Sequence, residues 1–168
     1  MSEAQAGRKL GINDAFGGKV TTLEQQRLIW PEALHEDAIW EGPMFEKPVS
    51  FVGRVAVGYF FEFLLSVVPR FSTQLHAAYP TQDPETVIIE STGGGDTVFG
   101  GRYTQRYFSL VSTKDGKTFR MRENCNPFQT YSAFGRERWE QATDEIMAKY
   151  NVAWPASQKP DLAAIPPR

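Results

Sequence analysis

Residues 103–128 read YTQRYFSLVSTKDGKTFRMRENCNPF, two strand patterns joined at Asp115-Gly116. Both turn positions tolerate positive φ, so Asp-Gly favours a two-residue hairpin. Counting outward from that turn sets the expected register. Lys114 faces Lys117, Leu110 faces Met121 and Phe108 faces Glu123. Side chains alternate along a strand. One face of the second strand therefore carries Phe119, Met121, Glu123 and Cys125, and the other Arg120, Arg122, Asn124 and Asn126. On this count Leu110, Phe108 and Arg106 share the Glu123 face. Arg106 then stands opposite Cys125 and diagonal to Glu123, within reach of a long side chain.

Glu123 is thus a carboxylate among Phe, Met and Leu. Burial raises a carboxyl pKa and a neighbouring arginine lowers it. A group balanced that way can serve as general acid or base near neutral pH. The plainer alternative is a Glu–Arg pair stitching two strands, or a Glu at a strand end in water.

The rest of the chain limits the choices. Its 168 residues fit one domain. The net charge of −2 offers no basic field for nucleic acid. A single cysteine suits a reducing compartment, and two histidines cannot make a histidine-rich metal site. No signal peptide is expected, and Val55–Val68 contains Glu62 and is too short for a bilayer. The expectations are a cytoplasmic protein with no metal, cofactor, nucleic acid or membrane partner.

Residues 1–18 are polar and Gly-containing, and read as a flexible N-terminal segment, poorly ordered or only briefly helical. A helix is expected from a Thr21/Thr22 cap towards Leu34, kinked or divided at Pro31. Ala38–Glu41 reads as a short strand and Met44–Phe51 as a loop. Arg54–Val68 is helical, with Val57, Phe60, Phe61, Leu64 and Val68 as its apolar stripe. Phe71–Tyr79 and Val87–Thr92 read as strands. The glycines 93–95 and 100–101 bracket an expected loop, and no Lys-Ser/Thr follows them, which excludes a phosphate loop. Arg136–Tyr150 is a charged helix with Trp139, Ala142, Ile146 and Tyr150 on one stripe. Residues 151–168 form a Pro-rich tail, leaving 19–150 as the domain.

Helices ahead of a run of antiparallel strands make an α+β plan, with helices against one face of a curved sheet. LHEDAIWEGP, VGR…VVPRF and the strands through RENCNPF resemble the nuclear transport factor 2-like, or SnoaL-like, superfamily. Within it they resemble the phenazine biosynthesis A/B proteins, from about Glu36 to Gly135. The resemblance implies a cone-shaped domain enclosing a pocket, a homodimer, and acid-base condensation of small cyclic substrates. It assigns the catalytic glutamate to Glu123. It also puts Phe60 where that family carries a histidine, and a phenylalanine cannot transfer protons.

Three functions follow. In the first, an enzyme of secondary metabolism uses Glu123 to move a proton on a small cyclic carbonyl or imine. Arg106 holds a substrate carboxylate or oxyanion, while Tyr59, Phe60, Leu64, Trp40, Phe108 and Met121 line the pocket. In the second, the same fold is a binding module without catalysis. In the third it is a dimeric scaffold. The expected dimer packs sheet backs carrying Tyr107, Ser109, Arg120, Arg122 and Asn124, with the arginines pairing across it, for example to Glu90.

Overall fold

A computed structural model describes residues 20–21, 32–156 and 158. Seven strands form one sheet: β1 (Val20–Thr21), β2 (Leu34–Gly42), β3 (Val49–Val52), β4 (Phe71–Pro80), β5 (Thr86–Asp96), β6 (Arg102–Lys114) and β7 (Lys117–Cys125). Their order across the sheet is β1-β4-β5-β6-β7-β2-β3. Three helices lie wholly within the described residues: α1 (Arg54–Val67), α2 (Pro127–Phe134) and α3 (Arg136–Tyr150). The α+β expectation holds, and β4 through β7 are antiparallel throughout. The sheet as a whole is mixed, because β2 runs parallel to β7.

The helix expected from Thr21/Thr22 lies mostly outside the described residues. Val20–Thr21 themselves are a strand paired to Ser72 and Phe71. The strand expected at Ala38–Glu41 extends from Leu34 to Gly42, and the expected loop at Met44–Phe51 contains β3. Glycines 93–95 lie inside β5 rather than in a loop. Their smallness is needed there. A Cβ on Gly93 would sit 2.7 Å from Phe71 Cζ and 3.1 Å from Tyr107 Cε2, so the strand gives up side chains where rings cross it.

Helix α1 lays its apolar side on the sheet. Phe60 stacks on Phe51 at 4.8 Å and lies tilted against Trp40 at 4.2 Å between ring centroids. Trp139 of α3 joins the same cluster and stacks on Phe45 at 4.7 Å. Helix α2 begins where Asn126 Oδ1 accepts a hydrogen bond from the Phe128 N–H at 3.0 Å, with Pro127 just inside the end. Gly135, at φ 78°, closes α2 and opens α3. Beyond α3 the Asn151 side chain accepts from Val52 N–H and donates to the Ser50 carbonyl, which fastens the chain to β3.

Candidate functional site

The turn at the tip of the β6–β7 hairpin is as expected. Asp115 and Gly116 have φ of 52° and 74°, and Lys114 pairs with Lys117. The register then slips. Thr113 pairs with Thr118, but Ser112 pairs with Arg120, so Phe119 is an extra residue on β7. This is a β-bulge, and one inserted residue turns every later neighbour over. Met121 faces Val111 rather than Leu110, and Glu123 faces Ser109 rather than Phe108.

Two expected site residues leave the site as a result. Phe108 is 48% exposed on the outer face beside Tyr79, at 6.3 Å between rings. Arg106 shares that outer face, and its guanidinium lies 3.7 Å from Glu90 of the same chain. Tyr107 and Ser109, expected on the sheet back, are buried on the inner face instead. Arg120 and Arg122 do lie outside. Within the chain both reach Glu41, at 2.6 and 3.2 Å. Burial pushes the Glu41 carboxyl up, but hydrogen bonds from both arginines outweigh it, so its pKa ends below the ordinary value. Tyr59 also stands apart. It stacks on Tyr150 at 3.9 Å along a groove of about 350 Å³ between α1 and α3 that includes Glu62 and Ser66.

The structure does bring together Glu123, Met121 and Trp40. Met121 precedes Glu123 by two residues on β7, and Trp40 of β2 is its neighbour across the parallel pair. Phe60 and Leu64 of α1 belong to the same core as Trp40 and Met121. Phe60 packs among Trp40, Phe51 and Trp139 and is 2% exposed, so it is wall rather than contact surface. The rest of the inner face was not expected. From β6 it carries Tyr103, Gln105, Tyr107 and Ser109, and from β5 Ser91. Tyr103 and Tyr107 join their hydroxyls at 2.9 Å. Gln105 donates to the Asn126 carbonyl and accepts from its N–H, tying β6 to the start of α2. The hydroxyls of Ser91 and Ser109 and the Trp40 indole N–H are buried and complete no hydrogen bond of good geometry with protein.

Protonation separates these groups. Burial lifts the Glu123 carboxyl to about 7 from its ordinary 4.5, against a smaller downward pull from the Trp40 indole N–H. Burial pushes the Tyr103 hydroxyl to about 12, despite hydrogen bonds from Tyr107 and Thr130 that lower it. Tyr107 is raised well above its ordinary value, first by burial and then by the charge of Tyr103 and Glu123. The Cys125 thiol rises to about 12 through burial and then Glu123. At neutral pH both tyrosines and the thiol keep their protons, so Cys125 is a poor nucleophile. Glu123 is the member of the cluster that changes charge there.

A SnoaL-like domain model matches residues 29–121, more than half the chain. The chain belongs to the SnoaL-like domain family. The matched stretch ends two residues before Glu123 and covers β2, β6 and the first part of β7. The YesE protein of Bacillus subtilis is 29% identical over 116 residues, which is 67% of this chain and 79% of YesE. A solved Bacillus subtilis protein, provisionally assigned as an isomerase, superimposes with a TM-score of 0.62 at 27% identity, over 80% of this chain and 96% of its own. A phenazine biosynthesis-related protein of Pseudomonas aeruginosa superimposes with a TM-score of 0.59 at 21% identity, over 79% of this chain and 85% of its own. These SnoaL-like neighbours have the cone-shaped α+β fold. Among the described residues of this member, no group of three or more His, Cys, Asp or Glu could hold a metal ion, and no helix is long and apolar enough to cross a membrane.

Proposed function

We propose that this SnoaL-like protein is a general acid-base catalyst that rearranges a small cyclic carbonyl or imine by isomerisation, cyclisation, dehydration or condensation. The observation that carries this reading is the state of Glu123. A carboxyl raised to about 7 holds its ionised and neutral forms in comparable amounts at neutral pH. It can therefore take a proton from a carbon beside a carbonyl and return it elsewhere without a large energetic penalty in either direction. Trp40, Met121, Phe60 and Leu64 supply an apolar wall that keeps the carboxyl poorly solvated. Tyr107 and Ser109 bring neutral hydroxyls to the same face, in the place expected of Arg106. Such donors can stabilise a developing oxyanion without fixing Glu123 in its ionised form.

The test is deuterium exchange from heavy water into the α-carbon of a small cyclic ketone such as cyclohex-2-enone, followed by proton NMR. The wild-type protein should exchange faster than buffer. Glu123→Gln should lose most of that gain, since acid-base groups contribute roughly 10²–10⁴-fold. A folded Glu123→Gln protein that exchanges at the wild-type rate would make Glu123 structural and favour a binding module. That second reading draws on Phe60, a ring that cannot move protons and is sealed in the core.

Two copies of the chain joined through the outer sheet face complete the proposed assembly. The support is the exposed Tyr79–Phe108 pair, at 45% and 48% exposure, on a face that otherwise carries Arg106, Arg122 and Asn124. An aromatic patch inside a polar rim is the usual anatomy of an interface.

A further inference from the structure

Trp40 is held in one place and is short of a partner. Its ring is clamped by Phe60 at 4.2 Å and Phe51 at 5.5 Å, and it is 2% exposed. Its indole nitrogen is a donor only, and a buried donor left unpaired is costly. That N–H completes no hydrogen bond of good geometry with any protein group, yet it lies close enough to the Glu123 carboxyl to act on it. The backbone explains the approach. Trp40 pairs with Met121 across β2 and β7, so its side chain rises from the same face as Glu123, one step along the row.

We propose that Trp40 is the positioning residue of Glu123: its indole N–H closes on one carboxylate oxygen when the acid gives up its proton, and leaves the other oxygen directed at substrate. The proposal rests on Glu123 being the proton-transfer group. An ionised carboxylate is a stronger acceptor than a neutral acid, so the contact tightens in the state in which Glu123 is the base. Because the ring cannot turn between Phe51 and Phe60, the same oxygen is taken each time, and the free oxygen keeps one direction. The clamp gives Phe60 a role that needs no proton of its own. The other titratable groups facing Glu123 are Tyr103 and Tyr107 of β6 and Cys125 of β7, and all three keep their protons across the range concerned. Glu41, next to Trp40 on β2, is turned outward to Arg120 and Arg122. Glu62 of α1 lines the outer groove towards α3.

The experiment titrates the Glu123 carboxyl by carbon-13 NMR in carboxyl-labelled protein, without substrate. Position 40 is examined as Trp, as Trp40→Phe, and as 3-benzothienylalanine, which keeps the shape of the indole but has sulfur in place of the N–H. The midpoint should rise by roughly one pH unit, a tenfold change in the ionisation constant, in both replacements. Phe60→Leu, which loosens the clamp but keeps the N–H, should give a smaller rise in the same direction. An unmoved midpoint in a folded benzothienylalanine protein overturns the proposal, and so does a rise seen with Phe alone, which would assign the effect to packing. The ketone exchange assay on Glu123→Gln judges the proposed function separately: it can fail while the Trp40 contact stands, and the reverse.

Discussion

Replacing Glu123 with Gln should stabilise the folded protein at neutral and alkaline pH, and the gain should vanish in acid. In the unfolded chain the carboxyl titrates near its ordinary 4.5, and in the folded chain at about 7. Below pH 4.5 it is protonated in both states and costs nothing. Between 4.5 and 7 the unfolded chain loses the proton while the folded chain keeps it. The folded state binds more protons there, so stability falls as pH rises and levels off above 7. At about 1.4 kcal/mol for each pH unit, the interval from 4.5 to about 7 amounts to roughly 3 kcal/mol. Gln has the shape of the neutral acid and cannot ionise, so Glu123→Gln escapes this loss. Urea denaturation of both proteins at pH 4 and pH 8 measures it. Groups such as Glu41, whose folded pKa moves the other way, are present in both proteins and cancel in the difference. The reasoning is refuted if the gap between the two proteins does not change with pH, or if the wild type gains on the variant as pH rises.

Arg120→Met should destabilise the protein by about 3 kcal/mol at pH 7, because it strips the shorter of two contacts from a carboxylate only 8% exposed. The folded Glu41 pKa is lowered, so this stabilisation is present above 4.5 and is lost as pH falls through the folded value. Chemical denaturation at pH 3 should therefore show a smaller penalty for the variant. Gly93→Ala puts a Cβ into the rings of Phe71 and Tyr107 and should cost about 1–3 kcal/mol, read as a lower Tm. Phe108→Glu should reduce a dimer to the single-chain mass in light scattering, and a wild-type protein already monomeric at micromolar concentration defeats the proposed assembly.

The elements were largely legible in the chain because their signals are local. The Asp115-Gly116 turn, the apolar stripe of Arg54–Val67 and the stripe of Arg136–Tyr150 each rest on a few neighbouring residues. The parallel pairing of β2 with β7 was not legible, since it joins residues some eighty positions apart and leaves no local mark. The bulge at Phe119 was hidden for another reason. Nothing in Lys117–Arg122 demands an extra residue there, and a plain ladder satisfies the turn equally well. The alternation of β6 pulled the same way, because Phe108 and Leu110 look like core, and Gln105 and Ser109 look like surface. The sheet does the opposite at this place. Hydrophobic pattern fails where an interior is built to be polar, and such interiors are where sites are found. Glu123 kept the face expected of it because the extra residue lies before it on β7, so Met121 and Glu123 still share one side of the strand.

The change of register also alters what Glu123 can do. Had Arg106 stood diagonal to it, the guanidinium would have opposed burial and held the carboxyl ionised. An ionised carboxylate paired to arginine is a weak base and cannot act as an acid at neutral pH. With Arg106 turned outward to Glu90, burial acts on Glu123 against only the indole N–H of Trp40, and the group comes to rest at about 7. Neutral hydroxyls from Tyr107 and Ser109 occupy the face instead, and they favour the charged form far less than a cation does. The arrangement that the hairpin count suggested would have anchored a carboxylate substrate but blunted the acid. Under the proposed function, the arrangement present suits moving a proton back and forth on an uncharged ring better than the one the count suggested.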